Sequence, residues 1–592
     1  MKNTERTERI RLLGRFLQGS GRWFVLCILC GMLLTVTDML IPQIIRYAVD
    51  SVIGDAAAEQ LPELARWLKG RMWLLAAGLA AVGLTAALLR YYNHVFNAKA
   101  GETLVKTMRD TLYTHIQRLP WSWHQKNATG DIIQRCTSDV EVIKTFFQDQ
   151  FVSVFRIVIL IAFSIGCMAA MNLPLAMVAL AFVPIIVSYS LVFHNRIRDR
   201  FTLCDENEGL LSTIAQENLT GVRVVRAFGR EEHERQRFEA QNQVYTNSWI
   251  DLCRTLALFW ASGDMSSGLQ VMSVVVLGCV LCANGRLTPG EFIAFNTYNA
   301  MLVWPVRRLG RMISQMSKAG VSMNRLAYIL DSQPEEDVPN AGEPPMEGDI
   351  VFENVSFAYE AGPEVLHDVS FTIPAGSSFG ILGGTGSGKS SLMHLLCRLH
   401  APTTGRITVG GEDIAQMKAR HVRSHVGIVL QEPYLFSRSI GENIGICGVS
   451  AEEIRAAAIT ACIHEDVMSF SAGYDTLVGE RGVTLSGGQK QRVAMARTLS
   501  RRMPILIFDD SLSAVDTETD ENIRAALERD LGGVSRIIIS HRITTLMDCN
   551  QVLVLENGAV AQLGSPAELY EQAGIYRRVY DMQMSLGEEE TP

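Results

Sequence analysis

The sequence predicts two architectures in one chain. Residues 1–330 read as an α-helical domain of six membrane spans, and residues 349–592 as an α/β domain built on a phosphate-binding loop. Three observations carry this. Six apolar runs, each near the roughly 20 residues a helix needs to cross a bilayer core, fill the first half. From Ile350 onward the pattern changes to short β-rich runs separated by helical patterns. Within that second half, Gly383 to Ser390 reads Gly-Gly-Thr-Gly-Ser-Gly-Lys-Ser and fits G-x-x-x-x-G-K-[ST].

At 592 residues the chain exceeds a single domain. A net charge of −8 gives no broad electrostatic reason to bind nucleic acid, so none is expected as a partner. Twelve cysteines are scattered, and the close pairs Cys27/Cys30 and Cys279/Cys282 lie inside apolar helical runs with no histidine or carboxylate beside them. They read as small packing residues rather than metal ligands.

Taken in order, a basic N-terminal stretch precedes the first span, about residues 23–45, which places the N-terminus in the cytoplasm. A short segment that is not markedly basic follows, and then the second span, about 72–95. The long polar stretch after it carries Lys99, Lys106, Arg109, Arg118, Lys126 and Arg135, and its basic excess puts it inside. Spans of about 149–171 and 173–193 are broken only by Asn172-Leu173-Pro174, a tight outer hairpin. Residues 194–251 are again charged and helical in pattern, and the last pair, about 256–283 and 289–310, turns at Asn284-Gly285-Arg286. The expected topology is a multi-pass protein of the cytoplasmic membrane, with both termini and the α/β domain on the cytoplasmic side.

Asp38, Arg90, Arg156, Asp264 and Arg307 fall within or beside spans, where charge is costly and marks cavity or pathway candidates, Asp38 and Asp264 foremost. Phe259, Trp260, Phe295, Tyr298, Met301 and Trp304 could line a cavity for a lipophilic compound, although simple helix packing is the commoner explanation. Residues 331–348 are acidic and proline-rich, a linker composition.

In the second half, Phe379–Leu382 is an apolar strand ahead of the glycine loop, and the residues from Ser391 to Leu396 read as helix. That is the context the loop requires: glycines let successive backbone N–H groups converge, and the helix start adds its positive dipole end. Lys389 would reach the outer phosphates and the Ser390 hydroxyl would sit on Mg²⁺. Ile505–Phe508 forms a strand ending in Asp509, the carboxylate expected to hold Mg²⁺ directly or through water. Leu485-Ser486-Gly487-Gly488-Gln489 makes a second anion-seeking helix start about a hundred residues after the first. One nucleotide need not be held by both; two chains placed head to tail could each lend one element to the other.

These motifs together resemble the ATP-binding cassette (ABC) exporter half-transporters, over nearly the whole chain. Leu485 to Gln489 reproduces the family signature, and the resemblance implies that Ser486, Gly487, Gly488 and Gln489 bind the ATP of a partner chain. Tyr359 stands where the family stacks an aromatic ring on adenine, completing an ATP-binding set of Gly383, Gly384, Thr385, Gly386, Ser387, Gly388, Lys389, Ser390 and Ser391. Gln431 matches the glutamine loop that touches Mg²⁺, Ser513 and Asp516 the dimer-interface loop, and His541 the switch histidine. Thr476 to Gly482 resembles an exporter-specific motif, and Thr129-Gly130-Asp131 and Glu217 to Gly221 resemble the connections that end in coupling helices.

One departure stands out. Where the family carries a glutamate to orient the attacking water, this chain has Asp510, one methylene shorter. A retreat of roughly one ångström can lower a rate on the order of a hundredfold. The resemblance therefore implies a slow ATP site in this chain, a second half-transporter as partner (a heterodimer in which the partner supplies a competent site, with a homodimer as the alternative), and export of small lipophilic or amphipathic compounds. The competing expectation is a mainly regulatory nucleotide-binding subunit with little turnover of its own.

Overall fold

The computed structural model describes residues 14, 16–53, 71–360, 362–479, 484–511, 515 and 517–588. Two compact units emerge, one of residues 1–119 and 127–333, the other of 120–126 and 334–592.

The first unit is a bundle of long helices: α1 (Gly21–Ile53), α2 (Met72–Ile116), α3 (Val152–Met171), α4 (Leu173–Thr220), α5 (Glu231–Ala283) and α6 (Pro289–Asp331). Five of the six predicted spans fall inside one of them, and the third, about 149–171, begins in the turn just before α3. Among the described residues, five helices are long and apolar enough to cross a membrane, and α6 is a sixth long helix beside them. The predicted breaks are where the sequence put them. Asn172 ends α3 and caps α4, its side chain accepting from Leu175 N at 3.1 Å. Between α5 and α6, Gly285 takes φ +67 and Thr288 with Glu291 closes a reciprocal capping box.

Towards its N-terminus α3 continues back to Thr129, interrupted by two π-wide turns, Arg135–Asp139 and Phe146–Phe151. Periodicity arguments tuned to 3.6 residues per turn do not see such turns.

Polar stitches join the helices. Asp50 of α1 accepts from Thr288 Oγ1 at 2.9 Å and from Gly290 N at 2.8 Å, while Arg46 pairs with Glu291 at 2.5 Å. Tyr298 donates to Met39 O at 2.7 Å, and Gln270 bridges to Asn299 at 2.8 Å between α5 and α6. Phe295 and Tyr298 are fully buried in the apolar core of the bundle with Met301 packed against it, so they serve packing rather than a cavity wall. Phe259 stacks with Tyr189 and Phe193. Asp38 lies 3.8 Å from Arg90, an ion pair between α1 and α2. The side chains of Trp304 and Arg307 lie outside the described residues.

The second unit has two sheets. A four-stranded antiparallel sheet runs β2-β1-β4-β5, and a six-stranded sheet runs β10-β9-β3-β8-β7-β6. The strands are β1 (Ile350–Ala358), β2 (Glu364–Ile373), β3 (Ser378–Gly383), β4 (Thr404–Val409), β5 (Glu412–Asp413), β6 (Val426–Val429), β7 (Ile505–Asp509), β8 (Ser535–Ile539), β9 (Gln551–Glu556) and β10 (Ala559–Gly564). From β6 to β9 all pairings in the larger sheet are parallel; β10 adds an antiparallel edge. Apolar strands such as β3 and β7 are buried at every residue, and the smaller sheet packs against the larger one at Phe371 and Phe379. The main core lies around β1, β3 and the helix α7 (Lys389–Leu396), with Phe352, Phe371 and Phe379 stacked in sequence. A second core gathers around α8 (Gly487–Leu499), which follows the signature stretch.

From Pro334 onward the acidic stretch is fastened to this unit. Glu335 pairs with Arg423 at 2.6 Å, Asp337 with Arg398 at 3.1 Å and Glu343 with Lys418 at 2.9 Å. Asp337 also accepts from Ala419 N at 2.8 Å. Its acidity matches a basic surface rather than solvent.

Candidate nucleotide site

The parallel sheet decides where the site lies. β3 and β7 flank β8, so the loops leaving their C-terminal ends, Gly384–Gly388 and the turn at Asp509-Asp510, open on the same edge. Ligands bind at that edge in open α/β sheets.

Within the glycine loop the conformation is set by need. Gly388 has φ +97, and a Cβ there would sit 2.6 Å from Leu366 Cδ2, so no other residue fits without displacement. Gly384 and Gly386 face open space and are exposed, whereas Ser387, Gly388 and Lys389 are buried beneath them. Lys389 Nζ donates to Gly383 O at 2.7 Å and to Gly384 O at 2.8 Å, which folds its ammonium back across the loop. Burial lowers the Lys389 pKa, with Asp509 and Asp510 opposing that shift. Ser387 Oγ is enclosed without a hydrogen-bond partner.

On the facing strand end, Ser390 Oγ donates to Asp509 Oδ2 at 3.1 Å. Burial raises the Asp509 pKa, and the Ser390 bond and the nearby His394 and Lys389 partly offset it. A hydroxyl and a buried carboxylate in contact, both oxygen donors, suit a hard divalent cation such as Mg²⁺. Asp510 follows in the left-handed region at φ +43, its N–H donating to Ile539 O at 2.9 Å. Gln431, just beyond β6, donates from Nε2 to Asp510 Oδ2 at 3.3 Å, and its own carbonyl accepts from Gln491 Nε2 at 3.2 Å. Gln491 lies on α8, so the signature helix and the glutamine loop are joined.

Tyr359 ends β1 with its hydroxyl 2.8 Å from Ser391 Oγ and its ring edge-on to Phe357 and His400. His541 lies in the turn after β8; its carbonyl accepts from Gln583 Nε2 at 2.7 Å, while Gln583 Oε1 takes Ile543 N at 2.8 Å. Neither Gln583 nor His400 carries a motif that sequence alone could flag. Ser486 caps α8, accepting from Gln489 N at 3.3 Å, while Gln489 Oε1 accepts from Ser486 N at 3.1 Å. Ser486 and Gly487 are exposed, and nothing stands within 4 Å of where a Gly487 side chain would begin.

The structure thus brings Tyr359, the glycine loop, Ser390, Ser391, Gln431, Asp509 and Asp510 into the same part of the cassette. The signature start at Ser486 to Gln489 is linked to it through α8, by the Gln491–Gln431 bond. Ser513, Asp516 and the stretch from Glu480 to Gly482 lie outside the described residues.

A long-helix membrane bundle and a phosphate-loop α/β domain in one chain define a membrane protein that binds a nucleotide. Comparison with known proteins resolves the class further. The family description "ABC transporter transmembrane region" matches residues 24–306, and "ABC transporter" matches residues 366–513. A putative multidrug export ATP-binding/permease protein of Bacillus subtilis is 31% identical over 96% of this chain and 98% of its own length. An ATP-dependent lipid A-core flippase of Syntrophus aciditrophicus is 30% identical over 96% of this chain and 93% of its own. A solved structure of a bacterial Atm1-family ABC exporter with ATP bound shares the fold at TM-score 0.80 and 27% identity, across 96% of this chain and 98% of that one. The chain belongs to the ABC transporters and has the exporter architecture: a multi-pass membrane protein with an ATP-hydrolysing domain, of a family that functions as dimers.

Proposed function

We propose that this chain is one half of a heterodimeric exporter of amphipathic or lipophilic compounds, drug-like or lipid-like, and that its own ATP site turns over slowly. The observation that carries this is Asp510: a complete phosphate-binding loop and Mg²⁺ pair end in a carboxylate one methylene shorter than the family's glutamate. Binding survives because Lys389, Ser390 and Asp509 are intact. Water activation suffers because the carboxylate is held back towards Gln431.

The roles follow from position. Tyr359 supplies the adenine platform, and the backbone N–H groups of Gly384 to Ser390 surround the phosphates. On binding, Lys389 exchanges its two carbonyls for phosphate oxygens. Ser390, Asp509 and Gln431 would hold Mg²⁺, which neutralises phosphate charge when bound. His541, steadied through its carbonyl by Gln583, faces the terminal phosphate as the switch, and Ser486 to Gln489 complete the partner's site. The putative multidrug export protein and the lipid A-core flippase among the relatives support the cargo class. The cassette lies on the cytoplasmic side, as the basic connections argue.

The test is ATP hydrolysis by the chain purified alone and again with its native partner, co-purified from the source membrane. Weak turnover alone, rising at least tenfold in the complex and further with lipophilic compounds, is expected. Brisk turnover by the lone chain would remove the slow-site reading.

A further inference from the structure

A cavity of about 650 Å³ opens in the helical bundle, lined by α1, α2, the start of α3, the π turn before it and Pro305 of α6. Ligand pockets run roughly 300–1,000 Å³, so it is large enough for a lipid head group or a drug-sized molecule. Its walls are divided. Ile28 and Leu34 of α1 and Ile157 and Leu160 of α3 are apolar. Opposite in character are Gln148, Asp149 and Gln150, three consecutive residues inside the π turn Phe146–Phe151. Successive α-helical residues point about 100° apart, which spreads three in a row over most of a helix's circumference. The wider turn narrows that spread, and all three line the same cavity.

Arg156 lines it as well, seven residues beyond Asp149. Neither has an ion-pair partner among the described residues, and both are exposed. Amides lie nearby: Gln148 Nε2 donates to Asn97 O at 2.8 Å, while Asn97 Oδ1 is enclosed without a hydrogen-bond partner. Charged groups within a span are costly unless paired or used by a ligand. An anionic ligand would pair with Arg156 and meet repulsion at Asp149; a cationic one would do the reverse; an uncharged one would leave both unpaired.

We propose that this cavity binds a zwitterionic amphiphile. Its anionic group, phosphate or carboxylate, pairs with Arg156. Its ammonium sits at Asp149. The apolar body lies along the α1 and α3 side chains. This rests on the exporter reading above and names its cargo class.

The experiment uses the full chain purified in a non-ionic detergent, with fluorescent lysophosphatidylethanolamine as the probe. Lysophosphatidylglycerol and an alkyltrimethylammonium serve as competitors, and binding of a fluorescent ATP analogue is measured on every sample as the control for folding. The zwitterion is expected to bind tightest. Arg156→Gln weakens it about tenfold, the size of one lost charge-assisted contact, and Arg156→Lys restores most of that. Asp149→Asn also weakens the zwitterion but tightens lysophosphatidylglycerol, a crossover that general unfolding cannot produce. Equal affinity for all three head groups, or unchanged affinity in both variants with ATP-analogue binding intact, overturns the proposal. Glycerophosphoethanolamine, the same head without a tail, separates sources: competition at concentrations equal to the lipid's would mean a water-soluble zwitterion and overturn the amphiphile. Stimulation of ATP hydrolysis is read separately, on the chain co-purified with its native partner. Head-group discrimination without stimulation upholds the cavity and counts against export, whereas stimulation without discrimination does the opposite.

Discussion

Gln431 Nε2 donates to Asp510 Oδ2 across 3.3 Å, tying the loop after β6 to the carboxylate that replaces the family's glutamate. The bond holds the shorter side chain on the glutamine side of the site. It also sets an expectation for the reverse change. Asp510→Glu restores the missing methylene and raises ATP turnover of the lone chain about tenfold or more, read as kcat with little change in KM. The gain is tempered because Asp510 sits at φ +43, a conformation aspartate tolerates better than glutamate. If Asp510→Glu and Asp510→Asn are equally slow, the carboxylate is not what limits the site.

Lys389 is buried and held by two carbonyls, so its charge is poised for a ligand. Lys389→Ala removes charge-assisted bonds to phosphate, each worth about 1.5–3 kcal/mol, and ATP affinity falls roughly 10- to 100-fold. Equilibrium binding of a fluorescent ATP analogue measures it; adenosine, which lacks phosphates, should bind the variant and the parent alike.

Gly388 tests the loop's geometry. Gly388→Ala places a methyl 2.6 Å from Leu366 Cδ2 and 3.3 Å from Val365 O, at a φ that alanine resists. Strain of about 1–3 kcal/mol is expected. It appears as a lower melting transition and lost ATP binding, whereas Gly384→Ala, at an open position, leaves the melting transition nearly unchanged.

Two histidines near Tyr359 give the cassette a pH dependence. Burial lowers the pKa of both His394 and His400, with Asp509 opposing it at His394 and His394 adding to it at His400. A histidine with a depressed folded pKa contributes stability that is complete above its ordinary value of 6.5 and is lost as pH falls below that. Asp509, raised by burial, works in the opposite sense from 3.8 upward. The cassette's melting temperature should therefore fall on going from neutral pH to about pH 5.5, and the double variant His394→Gln, His400→Gln should flatten that fall.

Much of this was legible beforehand because it rests on strong local signals. Six apolar runs announced six long helices, and Asn172 and Asn284-Gly285-Arg286 marked real breaks. The apolar strands β3 and β7 read directly because they are buried at every residue. The strands β2, β4, β5 and β10 did not. They are half exposed, and irregular register in β1–β2 and β9–β10 breaks the alternation that would reveal them. Acidic composition does not say what the stretch touches: charge is compatible with solvent or with an arginine-rich surface, and only the fold supplies Arg398 and Arg423. The π turns and the Gln431–Asp510 bond depend on tertiary placement that no window of residues encodes.

Asp50 closes the start of α6 from α1, accepting from both a hydroxyl and a backbone N–H while almost wholly hidden. A helix that relies on a neighbour's carboxylate for its first turn cannot unbuckle from that neighbour without fraying. The first and last long helices are therefore fastened like a belt at this end, and any transport motion that parts them there must first undo the buckle.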